Sequence, residues 1–329
     1  MVTTAYPHLM RGIICALSGG IFWGFSANCA EVLMGAYGVP VEWITCMRMS
    51  FAAVFFLALA TVTMKRRVLE VFKDRSSLLL ILGFSLLGIT LTQISYLYAI
   101  RYAGAGTALL LEQLGLVLVM LYLCLKARRL PQKREFAGLV FALIGAVFIS
   151  TQGDITTLSI PVLGLTWGLI SAVSLAFYNL MAVKPLAKYG SFLVTGLAML
   201  FGAVACTLCF RPWTIQVSLP FEGWAIFAAI IVIGTILAYL LFVQGIKDAG
   251  PMRAGLLGSV EPVSGMVISA LWLGTPISVF DTLGAIAIVA MIALVTEREA
   301  KPELAEAQED SVVDGVEGAC ESVSESGRA

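Results

Sequence analysis

Apolar runs of about twenty residues recur ten times along this 329-residue chain, and no other feature narrows the possible folds so far. A helix rising roughly 1.5 Å per residue crosses the ~30 Å hydrocarbon core of a bilayer in about that length, and in lipid it must satisfy its own backbone hydrogen bonds. The runs lie at 12–34, 41–63, 77–99, 103–125, 135–151, 163–183, 192–210, 222–245, 251–274 and 279–296. Hydrophobic residues make up 59% of the chain and charged residues 13%, with a mean hydropathy of +0.94; an average soluble domain carries about twice that charge. The pattern predicts an all-α polytopic membrane protein with ten transmembrane helices. The first run, behind Arg11, is too long for a signal peptide and lacks a convincing cleavage site, so it is read as the first helix.

The connections between runs alternate in charge. One side collects Arg11, then Lys65, Arg66, Arg67, Lys73 and Arg75, then Lys126, Arg128, Arg129, Lys133 and Arg134, and finally Lys184, Lys188, Lys247, Arg253, Arg298 and Lys301. The other side has only Arg101 and Arg211. Positive loops stay in the cytoplasm, so both termini are expected there, in the plasma membrane of a bacterial cell. The net charge of zero conceals a separate unit: residues 297–329 carry ten acidic groups against Arg298, Lys301 and Arg328, with no aromatics. Such a segment cannot bury enough apolar surface to offset chain entropy and is expected to be a disordered cytoplasmic tail. The expected organisation is a cytoplasmic N-terminus (1–11), a first five-helix repeat (12–151), an outer linker (152–162), a second five-helix repeat (163–296) and the tail.

The repeat rests on a gapless shift of 146 residues, which aligns Gly88 with Gly234, Leu91 with Leu237, Val117 with Val263 and Gly138 with Gly284, and brings the helix ends into register. Five helices per half is an odd number, so the halves are expected to be inverted relative to each other. That architecture places substrate near the midplane, where the halves meet. Each half also holds a carboxylate near the middle of an apolar run: Glu112, and Glu261 followed by Pro262. Intramembrane carboxylates are tolerated mostly where they face a bundle interior or a wet cavity, which makes both candidates for a substrate or proton pathway. The shift pairs Glu112 with Gly258 and Glu261 with Gly115, so each half supplies one carboxylate and one gap. Each Glu is expected to project toward the partner helix's glycine, giving one acidic centre. Pro262, which lacks an N–H, should free a carbonyl near Gly258 and loosen that turn, whereas Glu112 is expected in an unbroken turn. Gly115, Gly258 and Pro262 are thus read as packing and hinge positions.

Arg48 lies about seven residues, or ~10 Å, inside its helix. Snorkelling outward, pairing with Glu31, and contact with an anionic substrate group are all open to it. Trp23, Asn28, Gln93, Tyr96, Tyr178 and Tyr239 complete the proposed lining, since Ser171, Ser174 and Tyr178 share one helical face and Gln93 and Tyr96 another. A lining of aromatic and amide groups suits an amphipathic small molecule such as an amino acid.

Residues 12–296 resemble the drug/metabolite transporter superfamily in its EamA-type ten-helix branch. The resemblance is carried by GIKDAGPMRAG at 245–255 with LLGSVEPV after it, by AIRYAGAGTALLL at 99–111, and by Arg48 in RMSFAA. It implies a secondary transporter that moves small metabolites, often outward, by alternating access. Where the family often has Glu-Pro in its first half, this chain has Gly115 and Leu116, which departs from a symmetric acidic pair.

A passive facilitator of the same architecture is the alternative, and proton dependence of flux separates the two. An intramembrane enzyme using Glu112 and Glu261 is a weaker alternative, because the chain has no HExxH, no GxSxG and a single histidine, His8. Cys206 and Cys209 form an isolated CxxC on an apolar helix, and the Gly-Ala-Gly at 104–106 lacks the rest of a nucleotide loop, so no metal or cofactor is expected. The expected partners are a small-molecule substrate and the lipid bilayer. A homodimer is compatible with the sequence, and nothing in it points to nucleic acid.

Overall fold

A computed structural model describes residues 8–64, 71–153 and 159–296. The expectations for residues 1–7, for Lys65, Arg66 and Arg67, for 154–158 of the linker and for the tail at 297–329 lie outside these described residues. The described chain is helical throughout: α1 (Leu9–Gly35), α2 (Val41–Met64), α3 (Arg75–Ala103), α4 (Ala105–Lys126), α5 (Lys133–Thr151), α6 (Val162–Tyr189), α7 (Ser191–Phe210), α8 (Phe221–Ala249), α9 in two pieces (Pro251–Gly258 and Glu261–Leu273) and α10 (Val279–Thr296). Helices α1 to α8 are each long and apolar enough to cross a membrane, and Glu261–Leu273 and Val279–Leu294 are shorter apolar helices. The protein is an all-α polytopic membrane protein.

Local chemistry sets the corners. Asp74 caps α3 by accepting from the Ser77 amide at 3.2 Å and its hydroxyl at 2.6 Å, while Gln132 and Glu135 form a capping box that starts α5. The α3–α4 and α8–α9 corners are single residues, Gly104 and Gly250, at φ +81° and +87°, a region that other residues enter only under strain. They lie 146 apart, as do the starts of α3 and α8. Both helices also loosen into π-helical turns, Phe84–Thr90 and Val232–Leu237, at nearly equivalent positions. The shift does not hold for the first two helices of each half. Leu9 and Val162 lie 153 apart and Val41 and Ser191 lie 150 apart; the connection at 36–40 is replaced by Gly190 alone between α6 and α7, and α7 is four residues shorter than α2, which brings the offset to 146 by α3 and α8.

Packing obeys an exchange of the halves. Helix α1 lies against α8 and α9, and α6 lies against α3 and α4; α2 packs on α7, α4 on α9 and α5 on α10. Swapping each helix for its counterpart five places along turns this set of contacts into itself. Close approach is achieved with glycine. A Cβ on Gly20 would stand 2.7 Å from the Gly258 carbonyl oxygen, and one on Gly24 would stand 2.8 Å from that of Glu261, so α1 crosses α9 backbone to backbone beside the carboxylate. Ion pairs tie the same interfaces at their ends: Arg11 of α1 to Asp248 of α8 at 2.6 Å, and Lys188 of α6 to Asp74 ahead of α3 at 2.6 Å.

Candidate functional site in the bundle centre

Helices α1, α2, α3, α4, α6, α7, α8 and α9 enclose a cavity of about 220 Å³. Eight of the nine expected pathway residues line it: Trp23, Arg48, Gln93, Tyr96, Glu112, Tyr178, Tyr239 and Glu261. Asn28 does not. It is fully buried, and its amide donates to the carbonyls of Gly24 and Gly265 at 2.9 Å each, which locks α1 to α9 behind the cavity wall. Three polar wall residues were missing from the expected set, Thr92, Thr195 and Thr235, along with the apolar Phe56, Ile89, Leu175 and Met199. Thr235 lies four residues before Tyr239 and next to the repeated Gly234, a helical spacing that would have found it.

Arg48 is buried and does not snorkel. Its Nε donates to Thr235 Oγ1 at 2.9 Å, one Nη donates to Gln93 Oε1 at 3.2 Å, and the other approaches the Gly234 carbonyl at 3.5 Å. Thr235 can serve as acceptor because its own proton goes to the Ile230 carbonyl at 2.9 Å, five residues back across the π-helical turn. A guanidinium has five donors, so this bracket holds the group by neutral partners and leaves donors unused. Nor does Arg48 pair with Glu31, whose carboxylate accepts the Ala105 amide at 2.7 Å where α4 begins. Among the described residues, Arg48 forms no ion pair with Glu112 or Glu261, although all three share the cavity.

The two carboxylates occupy opposite ends of helical segments. Helix α4 is interrupted at Gln113, so Glu112 closes the segment Ala105–Glu112 and Leu114 opens the next. An unbroken turn was expected there. Instead Leu116 bonds back only three residues, to Gln113 at 3.1 Å, just where Gly115 brings α4 so close to α6 that a Cβ would stand 2.5 Å from the Ala172 carbonyl. Glycine is a poor helix former, and this seating needs no proline to loosen the turn. In α9 the interruption falls at 259–260, Val260 bonds back to Leu257 at 3.2 Å, and Glu261 opens the second segment. The glycines are not receptacles for the opposite carboxylates. Gly115 seats on α6, while a Cβ on Gly258 would meet the Phe242 ring of α8 at 2.6 Å and its carbonyl faces Gly20 of α1.

Polar and aromatic groups fill the remaining wall. Thr92 donates to Ser174 at 2.9 Å, Ser174 donates to the Ser171 carbonyl at 2.9 Å, and the buried Ser171 hydroxyl lies beside Glu112. Tyr239 shares a 2.7 Å hydrogen bond with Thr195 and meets Phe56 edge-on at 4.8 Å, while Tyr178 packs on Phe84 at 5.1 Å and Trp23 on Phe242 at 5.0 Å. The enclosure combines one cation, two carboxylates and several neutral donors and acceptors among aromatic faces.

A central site shared by two exchanging halves of a helical bundle is an arrangement suited to a membrane transporter. The chain belongs to the EamA-like transporter family, whose pattern it matches twice, at residues 10–151 and 162–297. It is similar to the uncharacterized inner membrane transporter YicL of Salmonella typhimurium, 28% identical over 288 residues that cover 87% of this chain and 95% of the relative. It is also similar to the uncharacterized transporter YyaM of Bacillus subtilis, at 26% identity over 84% of this chain and 90% of that one. A crystal structure at 18% identity has the same fold, with a TM-score of 0.60 over 89% of this chain and 99% of that one.

Proposed function

We propose that this protein is a proton-coupled secondary transporter that moves a small amphoteric metabolite, such as an amino acid, outward by alternating access. The observation that carries the reading is the cavity in which Arg48, Glu112 and Glu261 stand together without pairing. Unused guanidinium donors suit a substrate carboxylate, and a carboxylate opposite suits an amino group. A volume of about 220 Å³ lies below the ~300–1,000 Å³ of drug-sized pockets and favours a small molecule. The outward direction rests on the resemblance to the superfamily. In this reading the halves are inverted repeats, both termini are cytoplasmic, and Glu261 alternates between protonated and charged forms while Glu112 binds substrate.

The test is a thermal-shift screen of amino acids, amines and carboxylic acids on purified protein, followed by counterflow in proteoliposomes with the best hit. The expected result is that amphoteric compounds stabilise the protein and that Arg48→Leu removes the response. A shift given equally by compounds lacking a carboxylate would overturn the substrate class. Flux indifferent to pH would turn the assignment to a passive facilitator.

A further inference from the structure

The segment Ala105–Glu112 is a rod of eight residues, about 11 Å long, with a carboxylate at each end. At its cavity end is Glu112, next to the interruption at Gln113. At its start is Glu31 of α1, half-buried, whose carboxylate accepts the Ala105 N–H at 2.7 Å. The Gly104 corner lies beside the carboxylate: a Cβ there would be in ordinary van der Waals contact with the two Glu31 oxygens, at 3.6 Å and 3.9 Å, and it is the backbone turn at φ +81° that calls for glycine. A negative group in that place satisfies one of the free amides that every helix start exposes and complements the segment's dipole. Glu31 makes no other hydrogen bond or ion pair among the described residues, so the tether joins α1 to the rod alone.

The corresponding segment of the opposite half, Pro251–Gly258, begins with a proline, which has no N–H to offer to a carboxylate at that position. The rod is packed along its length, with Ala105, Ala108, Leu109, Leu110 and Leu111 buried, so it moves as one piece, and a shift of the start that Glu31 holds carries Glu112 with it up to the interruption at Gln113.

We propose that Glu31 is a positioning residue, which sets the place of Glu112 in the cavity by anchoring the start of the half-helix that carries it. This rests on reading the cavity as the transport site, and two measurements keep the two failures apart because neither needs a substrate. The first is hydrogen exchange on purified protein. A cap that only prevents fraying would, on removal, speed exchange in the first turn alone, whereas loss of a positioning contact reaches the far end. In Glu31→Ala the amides at 111–116 should exchange at least about tenfold faster, with those at 259–266 unchanged. Acceleration confined to 105–108 would overturn the proposal. The second is modification of the cavity carboxyls by dicyclohexylcarbodiimide, read by mass spectrometry. The rate at Glu112 should change at least about threefold in Glu31→Ala, with that at Glu261 constant, and Glu31→Gln, which keeps the length and an acceptor oxygen, should restore most of it. Equal changes at both sites would also overturn the proposal. If neither carboxyl reacts in the unmodified protein, the wet acidic site itself fails, and exchange at 111–116 still decides the positioning role. Should Glu31→Ala not accumulate, Glu31→Asp, one methylene shorter, must show the same asymmetry in smaller degree, and its absence would count against the tether.

Discussion

Helices α4 and α9 are counterparts, and each brings a carboxylate to the cavity from an interruption near its middle, yet they are built differently. Glu112 ends a segment and Glu261 begins one. The backbone dipole favours negative charge at a segment's start and opposes it at a segment's end, so the two groups are chemically unequal although they face the same space. Helix α4 is tethered at its start by Glu31 and interrupted without proline; α9 starts at Pro251 and is interrupted beside Pro262. Glycine seating differs as well, since α4 presses its own Gly115 onto α6, whereas α9 receives Gly20 and Gly24 from α1. The repeat therefore preserves the placement of the two carboxylates while changing their local chemistry, which is what the proposed division of roles, one for the proton and one for substrate, requires.

The largest expected effect concerns seating. Gly24→Val would place side-chain carbon 2.7 Å from the Gly265 nitrogen and 2.8 Å from the Glu261 carbonyl oxygen, and Gly115→Val would place it 2.5 Å from the Ala172 carbonyl oxygen. Backbone cannot yield as a flexible side chain can, so each variant should lose at least about tenfold of its monodisperse yield in detergent chromatography. Loss in only one of the two would break the equivalence of the crossings.

A smaller effect is expected from Pro262→Ala, which asks whether proline makes the interruption in α9. Helix α4 is interrupted at the equivalent place with Gly115 and Leu116 where α9 has Glu261 and Pro262, so exchange at 258–263 should stay within about threefold of the unmodified protein. A steep slowing would mean that the two interruptions have separate causes.

The smallest effect belongs to the end of the α3–α6 interface. The Lys188 ammonium, helped by Ser77, holds the Asp74 carboxyl well below the usual carboxylate range. A carboxyl shifted that way contributes stability at every pH above its unfolded value of about 3.9 and loses the contribution as pH falls through its folded value. Asp74→Asn should therefore lower the melting temperature slightly at neutral pH, and the gap to the unmodified protein should close on acidification below about pH 4. A gap that widens in acid would contradict the ion-pair account.

The architecture was legible because lipid leaves the backbone few choices: ten apolar runs and their charged connections gave every helix to within a few residues. Both central carboxylates and most of the lining were legible too, since an ionisable group at mid-span has few places to face. Three features were not. Asn28 has the composition of a lining residue, yet whether its amide meets a cavity or a neighbouring carbonyl depends on the rotation of α1, which an all-round apolar helix does not reveal. The interruption at Gln113 has no proline to announce it and comes from the approach of α6 to Gly115, a tertiary cause. The bracket on Arg48 depends on the π-helical turn at Val232–Leu237, which turns Thr235 toward α2 and has no signature in a window of valine, isoleucine and glycine.

The inequality of Glu261 and Glu112 is measured most directly by a pH series of counterflow in proteoliposomes, using the amphoteric compound selected by thermal shift. The unmodified protein and Glu112→Gln should both show flux that varies at least about tenfold across pH 5.5 to 8, with the second shifted to weaker substrate binding. Glu261→Gln should give a flat profile while keeping the thermal shift on substrate addition. A Glu261→Gln protein that transports at the unmodified rate with an unchanged pH profile would contradict the assignment of the proton to α9 and reduce Glu261 to a packing residue.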